Sequence, residues 1–544
     1  MNFKSILNSI SGFNRRERGK HKELRKVLRA SLDLRREGRS HEVDDMLNNF
    51  VDTKLEIDEV VLSKFLGQQG GDIVAAWCTQ LAYELVDTLE FRRKLLRAFG
   101  EDTYSIEYPI PKNWQLTLAN SGFKVNHRKC DRLWYLFCLR KWWKGIFLCL
   151  EVVFEPKIND GDIVREIENG RSWAFFADLR LNCITKKRNN SPSYNLRSWF
   201  QEYLSTDEVF TAGGRRLSSS ECQHNGVLYS KSGLLSLRGV NQRISFFFTS
   251  IVAALECLLR SRGNTYQLLV FQEYAMLKKA TVQLNEHLPK SIYFSNSTYL
   301  VRPLWTFLAE QRTSHVVLYY YSTNNESFGD KTEKERLYPA FRLITWRNLM
   351  VWHERQSAYF KSTICVDIHC EIVGPIWFED CPEALKENSS IDIVIFDVTP
   401  LRFSYYRSLS PPQDYYIVEN GIRYLEEIVA ACRLLNVTPS MKFKRPPNIS
   451  SLFDSRYLNA VAKMVASGDL KLLAPEQSAQ HYIKSAKMVI SRPFTSTAHI
   501  ATQLSCPSVF FDPSGIVSHE DESAAGVPVL TNIEELKLWV ASNI

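Results

Sequence analysis

Residues 487–512 read KMVISRPFTSTAHIATQLSCPSVFFD. Met488–Ile490 and Ser508–Phe511 are apolar runs of strand length, and the stretch between them is turn, helix and turn. The hydroxyls Ser491, Thr495, Ser496 and Thr497, with Arg492 among them, occupy the turn and the first helical positions. Free backbone N–H groups and the positive end of the helix dipole favour a phosphate there, and ligands of open α/β sheets bind at this edge. An ordinary Ser/Thr cap explains one such hydroxyl easily and four less well.

Working outward, Ile391–Phe396 (IDIVIF), Met441–Phe443 and Leu470–Leu473 are further strand signals, and Ile422–Leu435 is an amphipathic helix. An earlier series starts near residue 240. Ile244–Leu259 has helix length, Tyr266–Phe271 (YQLLVF) reads as a buried strand, and Glu273–Leu288 as a helix. Ser291–Ser295 reads as a strand, Tyr299–Ala309 as a helix, and His315–Ser322 (HVVLYYYS) as a strand; Glu371–Trp377 closes the series. Alternating β and α elements imply parallel sheets covered on both faces. The polar stretches Lys186–Ser193 and Asn324–Glu335 read as loops, and Glu379–Ser390 as a linker. The expected fold class is α/β: two Rossmann-like domains, 101–385 with an aromatic-rich insertion and 386–544, behind a basic helical region, 1–100.

The chain has 544 residues and a net charge of +8. Residues 1–40 hold 12 Lys/Arg and 4 Asp/Glu, and the other 504 residues carry 56 of each sign. The positive charge is a property of one segment, which argues against a nucleic-acid enzyme. The basic face of Arg15–Arg39 suits an anionic membrane surface, and equally a solvated helix face. The 12 cysteines lack CxxC spacing, so no metal is expected, and several sit in apolar runs as buried thiols do, which favours a reducing compartment. Leu133–Phe154 is interrupted by charge and Ile244–Leu259 is short, so no transmembrane helix is expected. Trp142 and Trp143 between Lys141 and Lys144 have the composition of an interfacial anchor or of a lysine-covered aromatic cluster.

The strand, hydroxyl turn, helix and strand order resembles the donor-binding half of GT-B glycosyltransferases. Pro493-Phe494-Thr495-Ser496 is similar to the motif of the polysaccharide biosynthesis proteins named for PFTS. Val373-Gly374-Pro375-Ile376-Trp377-Phe378, Phe396-Asp397-Val398-Thr399-Pro400 and Lys442-Phe443-Lys444-Arg445 occur in the order of that family. The resemblance implies a sugar transferase of surface-polysaccharide assembly (capsule or O-antigen). Its expected donor is a nucleotide sugar, CMP-activated by preference and UDP- or GDP-activated otherwise; its expected acceptor is a lipid-linked glycan. Lys442, Lys444 and Arg445 would neutralise the departing phosphate, with Ser491, Arg492, Thr495, Ser496 and Thr497 beside them. Arg445-Pro446 stands where CMP-sugar enzymes often have His-Pro. Asp397 and Thr399 follow the first strand of the second domain and suit base, ribose or phosphate contact, or a local Asx turn. A base for the acceptor hydroxyl should come from the first domain, where Glu273, His353 and Glu354 are candidates; each is equally readable as an ordinary helix-start or helix-surface residue. The expected location is cytoplasmic, on the inner face of the plasma membrane. The rival readings are a nucleotide-sugar 2-epimerase and a noncatalytic assembly subunit.

Overall fold

The computed structural model describes residues 22–544 apart from 54, 56, 58–59, 156–159, 186–194, 204–207, 215–216, 238, 299, 324–337, 377–390, 410–414, 445, 447–451 and 476. Arg445, the two polar loops, the linker, and Trp377 and Phe378 therefore lie outside the described residues. Strands β1 (Ser105–Ile106) and β2 (Lys124–Val125) form a small parallel pair. The first large sheet contains β3 (Ser172–Ala177), β4 (Glu208–Gly213), β5 (Leu228–Tyr229), β6 (Ser291–Ser295), β7 (His315–Tyr319), β8 (Asn348–Val351) and β9 (His369–Ile372). The second contains β10 (Ile391–Phe396), β11 (Ser440–Lys442), β12 (Lys471–Leu472), β13 (Ala486–Ser491), β14 (Ser508–Phe511) and β15 (Val529–Leu530).

Every pairing in both large sheets is parallel. Their spatial orders are β5-β4-β3-β6-β7-β8-β9 and β12-β11-β10-β13-β14-β15. In each, the chain winds one way from its first strand and the other way from its fourth, the doubly wound order of a Rossmann unit. The two-unit α/β architecture stands, with the first sheet beginning at residue 172, well before 240.

Side chains alternate across the first sheet as period-two strands require. Trp173, Phe175, Ile292, Phe294 and Leu318 enter the core shared with the N-terminal helices. Ala174, Phe176, Tyr293, Val317 and Tyr319 enter a second core on the opposite face, where Phe176 stacks on Tyr293 at 4.6 Å and on Phe210 at 4.2 Å. In the second sheet Ile393, Ile395, Met488 and Ile490 face one layer, and Val394, Phe396 and Val489 the other.

Tyr266–Val270 is a helix, not the expected strand. All five residues are buried, so the run has no polar side to show its period. It lies under the long helix His127–Val153, where Trp134 meets the Tyr266 ring edge-on at 5.8 Å and donates to Thr265 Oγ1 at 3.0 Å. Residues 348–351, beside His353 and Glu354, are strand β8. The helix at Ile244–Leu259 extends over Val240–Arg260; it is 21 residues long and contains an 18-residue window with a mean hydropathy of 1.4, so it meets the length and composition of a membrane span.

The helix over residues 22–36 turns Val27, Ala30 and Leu34 into the protein. Ser31 Oγ donates to the Arg407 carbonyl at 3.0 Å, so this helix touches the second unit. Helix Leu89–Gly100 does the same, through Arg92 to the Leu409 carbonyl and Arg93 to Ser408 Oγ.

Candidate functional site

Adjacent parallel strands whose connections leave in opposite directions open a crevice at their C-terminal ends. In the second sheet this point lies between β10 and β13, where Phe396 pairs with Ser491 and Arg492 N–H donates to the Phe396 carbonyl at 3.1 Å. Asp397 and Arg492 therefore leave the sheet side by side. Asp397 is buried; its Oδ2 accepts from Tyr457 Oη at 2.5 Å and Thr399 Oγ1 at 3.3 Å, and its Oδ1 has no hydrogen-bond partner. Burial pushes this carboxyl up to about 6, against the hydrogen bonds from Tyr457 and Thr399 and the Arg492 charge, which oppose the rise.

The Arg492 guanidinium is also buried. It donates to the Tyr415 carbonyl at 2.9 Å, and its carbon lies 4.8–5.7 Å from the rings of Tyr415, Tyr416 and Tyr424. Tyr424 Oη in turn donates to the Phe396 and Ile490 carbonyls, 3.2 Å each. This arginine anchors the turn from beneath, with Nε and Nη1 buried and lacking hydrogen-bond partners.

The hydroxyls above it divide into two roles. Ser491 Oγ and Thr497 Oγ1 are 2.8 Å apart, Thr495 Oγ1 and Thr497 Oγ1 3.1 Å apart, and Thr495 donates to the Arg492 carbonyl at 2.9 Å. Those three knit the turn. Phe494 holds the left-handed conformation (φ +29°) and buries its ring against Phe510 at 5.5 Å. Ser496, first residue of the helix Ser496–Gln503, points across to the first unit, where its Oγ accepts from Thr323 N–H at 3.2 Å.

This contact belongs to a junction between the C-terminal edges of the two sheets. His353, two residues after β8, faces His499 on the Ser496–Gln503 helix with ring centres 5.1 Å apart. Trp352 packs into the second unit's core with Phe396 and Ile500, and Arg355 pairs with Glu522 at 2.9 Å. Burial holds His353 down at about 4; burial and then His353 hold His499 down at about 3. Both are therefore neutral at pH 7. His353 caps the helix Glu354–Thr363 by accepting the Gln356 N–H on Nδ1 at 3.1 Å. A neutral imidazole accepting on Nδ1 carries its proton on Nε2, so in this arrangement Nε2 is a hydrogen-bond donor, not a proton acceptor.

Glu354 is exposed in the first turn of that helix. Glu273 lies within the first unit, its Oε2 accepting the Leu304 N–H at 3.1 Å, and burial raises its pKa against Lys144 and Lys141. The junction thus brings His353 to the hydroxyl turn, whereas Glu273 makes its contacts elsewhere in the first unit. Lys442 is buried and donates to the Phe443 and Pro475 carbonyls at 3.3 and 3.2 Å, while Lys444 is exposed. His499 and Tyr457 escaped the sequence reading: each lies on a helix with an ordinary pattern, and only the strand order brings Tyr457 to Asp397 and His499 to His353. Among the described residues no group of three or more His, Cys, Asp or Glu could hold a metal ion. A cavity of ≈ 390 Å³ opens beyond β5, lined by Glu151, Phe154, Glu155, Ser218, Tyr229 and Lys231.

Residues 245–540 match the family described as Polysaccharide biosynthesis PFTS motif protein. No curated protein matches the chain. Among solved structures, the glycotransferase of kitacinnamycin is 9% identical, aligning 68% of this chain with 90% of its own at a TM-score of 0.35. The UDP-GlcNAc 2-epimerase of Methanocaldococcus jannaschii, in complex with UDP-GlcNAc and UDP, is 11% identical over 68% and 92%, TM-score 0.33. The glycosyltransferase SnogD from Streptomyces nogalater is 8% identical over 68% and 91%, TM-score 0.34. The assignment of two Rossmann-like units rests on the strand orders above.

Proposed function

The chain belongs to the Polysaccharide biosynthesis PFTS motif protein family, and from that premise we propose that it is a glycosyltransferase using a nucleotide-sugar donor. An acceptor hydroxyl attacks the anomeric carbon, the new C–O bond forms, and the bond to the nucleotide phosphate breaks. The observation that carries this reading is the junction itself. The switch point of the second sheet, bearing Asp397 and the turn 491–497, faces the C-terminal edge of the first sheet through Ser496, Thr323, His353 and His499. The positive end of the helix dipole at the start of Ser496–Gln503 suits the leaving phosphate. Lys444 and Arg445 remain the candidate cations of this site, while Lys442 supports the loop through backbone carbonyls. His353, protonated on Nε2, suits hydrogen-bond donation to the sugar or phosphate. Glu354, next in the chain to His353, remains the candidate carboxylate base of the junction; Glu273, whose raised pKa favours proton uptake, is a base for it only if the acceptor reaches to Leu304.

The proposed acceptor is a lipid-linked glycan. The proposed location is the cytoplasmic face of the membrane, approached by the exposed Lys22, Arg25, Arg29 and Arg36, since the apolar side of their helix is committed to the protein.

Thermal shift of the full chain with CMP, UDP, GDP and ADP, on wild type and Ser496→Ala, tests the donor site. At a nucleotide concentration ~100-fold above Kd, binding should stabilise the wild type by about 2.7 kcal/mol, with a smaller shift in Ser496→Ala. No shift from any of the four nucleotides would falsify the donor site. Product analysis separates the epimerase, which turns over a nucleotide sugar without acceptor.

A further inference from the structure

Helix Val240–Arg260 has its side chains arranged the wrong way round for water. The side facing the protein is made of Phe246, Ser250, Ala253, Ala254 and Cys257, mostly small. The outward side carries Val240, Ile244, Phe248, Ile251, Val252, Leu255 and Leu259, of which Phe248 is 61%, Val252 64%, Leu255 54% and Leu259 70% exposed. At 1.5 Å per residue this apolar stripe runs about 30 Å. The neighbouring helix His127–Val153 continues it with exposed Tyr135, Leu136, Trp143 and Phe147, and Phe154 follows its end. A contiguous apolar surface of this extent marks a docking face.

Two features identify what it docks on. Exposed cations border it: Arg128, Arg132, Arg140 and Lys144 along one helix, and Arg262 just past the end of the other. The acidic groups of the same helices are engaged within the protein. Asp131 accepts from Gln115 at 2.8 Å, Glu151 pairs with Lys231, and Glu256 pairs with Arg260 at 2.7 Å. An apolar stripe with aromatic rings and a net positive margin matches the headgroup and upper acyl region of an anionic bilayer. Nor does the helix stand free to cross a membrane. Trp142 Nε1 donates to the Ala254 carbonyl at 3.1 Å, and the Arg243 guanidinium binds the carbonyls of Leu237, Val153 and Glu155 at 2.9, 3.1 and 2.7 Å. Its inner side is tied to the body along its length.

We propose that the outward face of Val240–Arg260 and His127–Val153 seats the protein on an anionic lipid bilayer, both helices lying in the membrane plane. The surface is separate from the basic segment 1–40 and rests on its own geometry, not on the transferase reading. Flotation of the full chain with vesicles of phosphatidylcholine, alone or mixed with phosphatidylglycerol, tests it. The wild type should float with the mixed vesicles. Phe248→Glu, Val252→Glu and Leu255→Glu combined should weaken binding by roughly tenfold or more while keeping the wild-type melting transition, because all three side chains point outward. Brominated lipid should quench wild-type tryptophan fluorescence, and less so in Trp143→Phe. Combined Arg25→Glu, Arg29→Glu and Arg36→Glu substitutions measure the N-terminal contribution separately. Absent binding by the wild type, or equal binding by the triple apolar-face variant, would overturn the proposal. So would a wild-type dimer in lipid-free buffer that the triple variant dissociates, which would assign the face to a second copy.

Discussion

Asp397 and the two facing histidines give the junction opposed responses to pH. The native state holds the Asp397 proton to about pH 6, above the ~3.9 of an unfolded-chain carboxyl. Its contribution to stability is therefore present below about pH 4 and lost as pH rises through about 6. His499 and His353 stay neutral in the fold down to about 3 and 4, whereas the unfolded chain protonates them below about 6.5; their contribution is present above that and lost on acidification. The spans run from about two pH units for Asp397 to about three and a half for His499, ~3–5 kcal/mol each. With two imidazoles against one carboxyl, the melting temperature should fall between about pH 6.5 and 4. It should fall more steeply in Asp397→Asn and less steeply in His499→Asn, as a series of melts will show. Gly421 makes a second residue-level case. A Cβ there would sit 2.5 Å from Pro400 Cγ, in the segment that carries Asp397. Although alanine favours helices, Gly421→Ala should destabilise by about 1–3 kcal/mol, measurable by chemical denaturation.

At the scale of elements, the PFTS turn is held by its own hydroxyls. Thr497→Val leaves Ser491 and Thr495 without their shared partner and should lower stability by about 1–2 kcal/mol, with Thr497→Ser restoring most of it in the same denaturation assay. The strands β10, β13 and β14 were legible in the sequence because Ile391–Phe396, Met488–Ile490 and Ser508–Phe511 are short apolar runs punctuated by turn residues. Tyr266–Val270 was not legible as a helix: a segment buried on every side has lost the polar positions that distinguish a period of 3.6 from one of 2. Strand β3, SWAFFA, hid among the aromatic residues before 200 for a similar reason. The hydroxyl turn and Asp397 could be named in advance because both follow strand signals. The Arg492 cage could not, since its rings come from residues 415–424, brought under the turn only by the fold.

For the whole molecule, the N-terminal helices act as a brace. They share a core with the first sheet and reach the second unit at Arg407, Ser408 and Leu409, while Trp352 and the junction tie the units at the other contact. Heat should therefore unfold both units in one calorimetric transition. Ser31→Ala and Arg93→Ala together should broaden it or split it in two, because each removes a side-chain bond to the second unit.

The brace also has a consequence for synthesis. Ser31 and its partner Arg407 are separated by 376 positions. At about 5–20 residues per second, a ribosome takes on the order of 20–75 s to deliver the second after the first. During that interval the helix that carries Ser31 has no second unit to close upon, and its contact face stays open to chaperones.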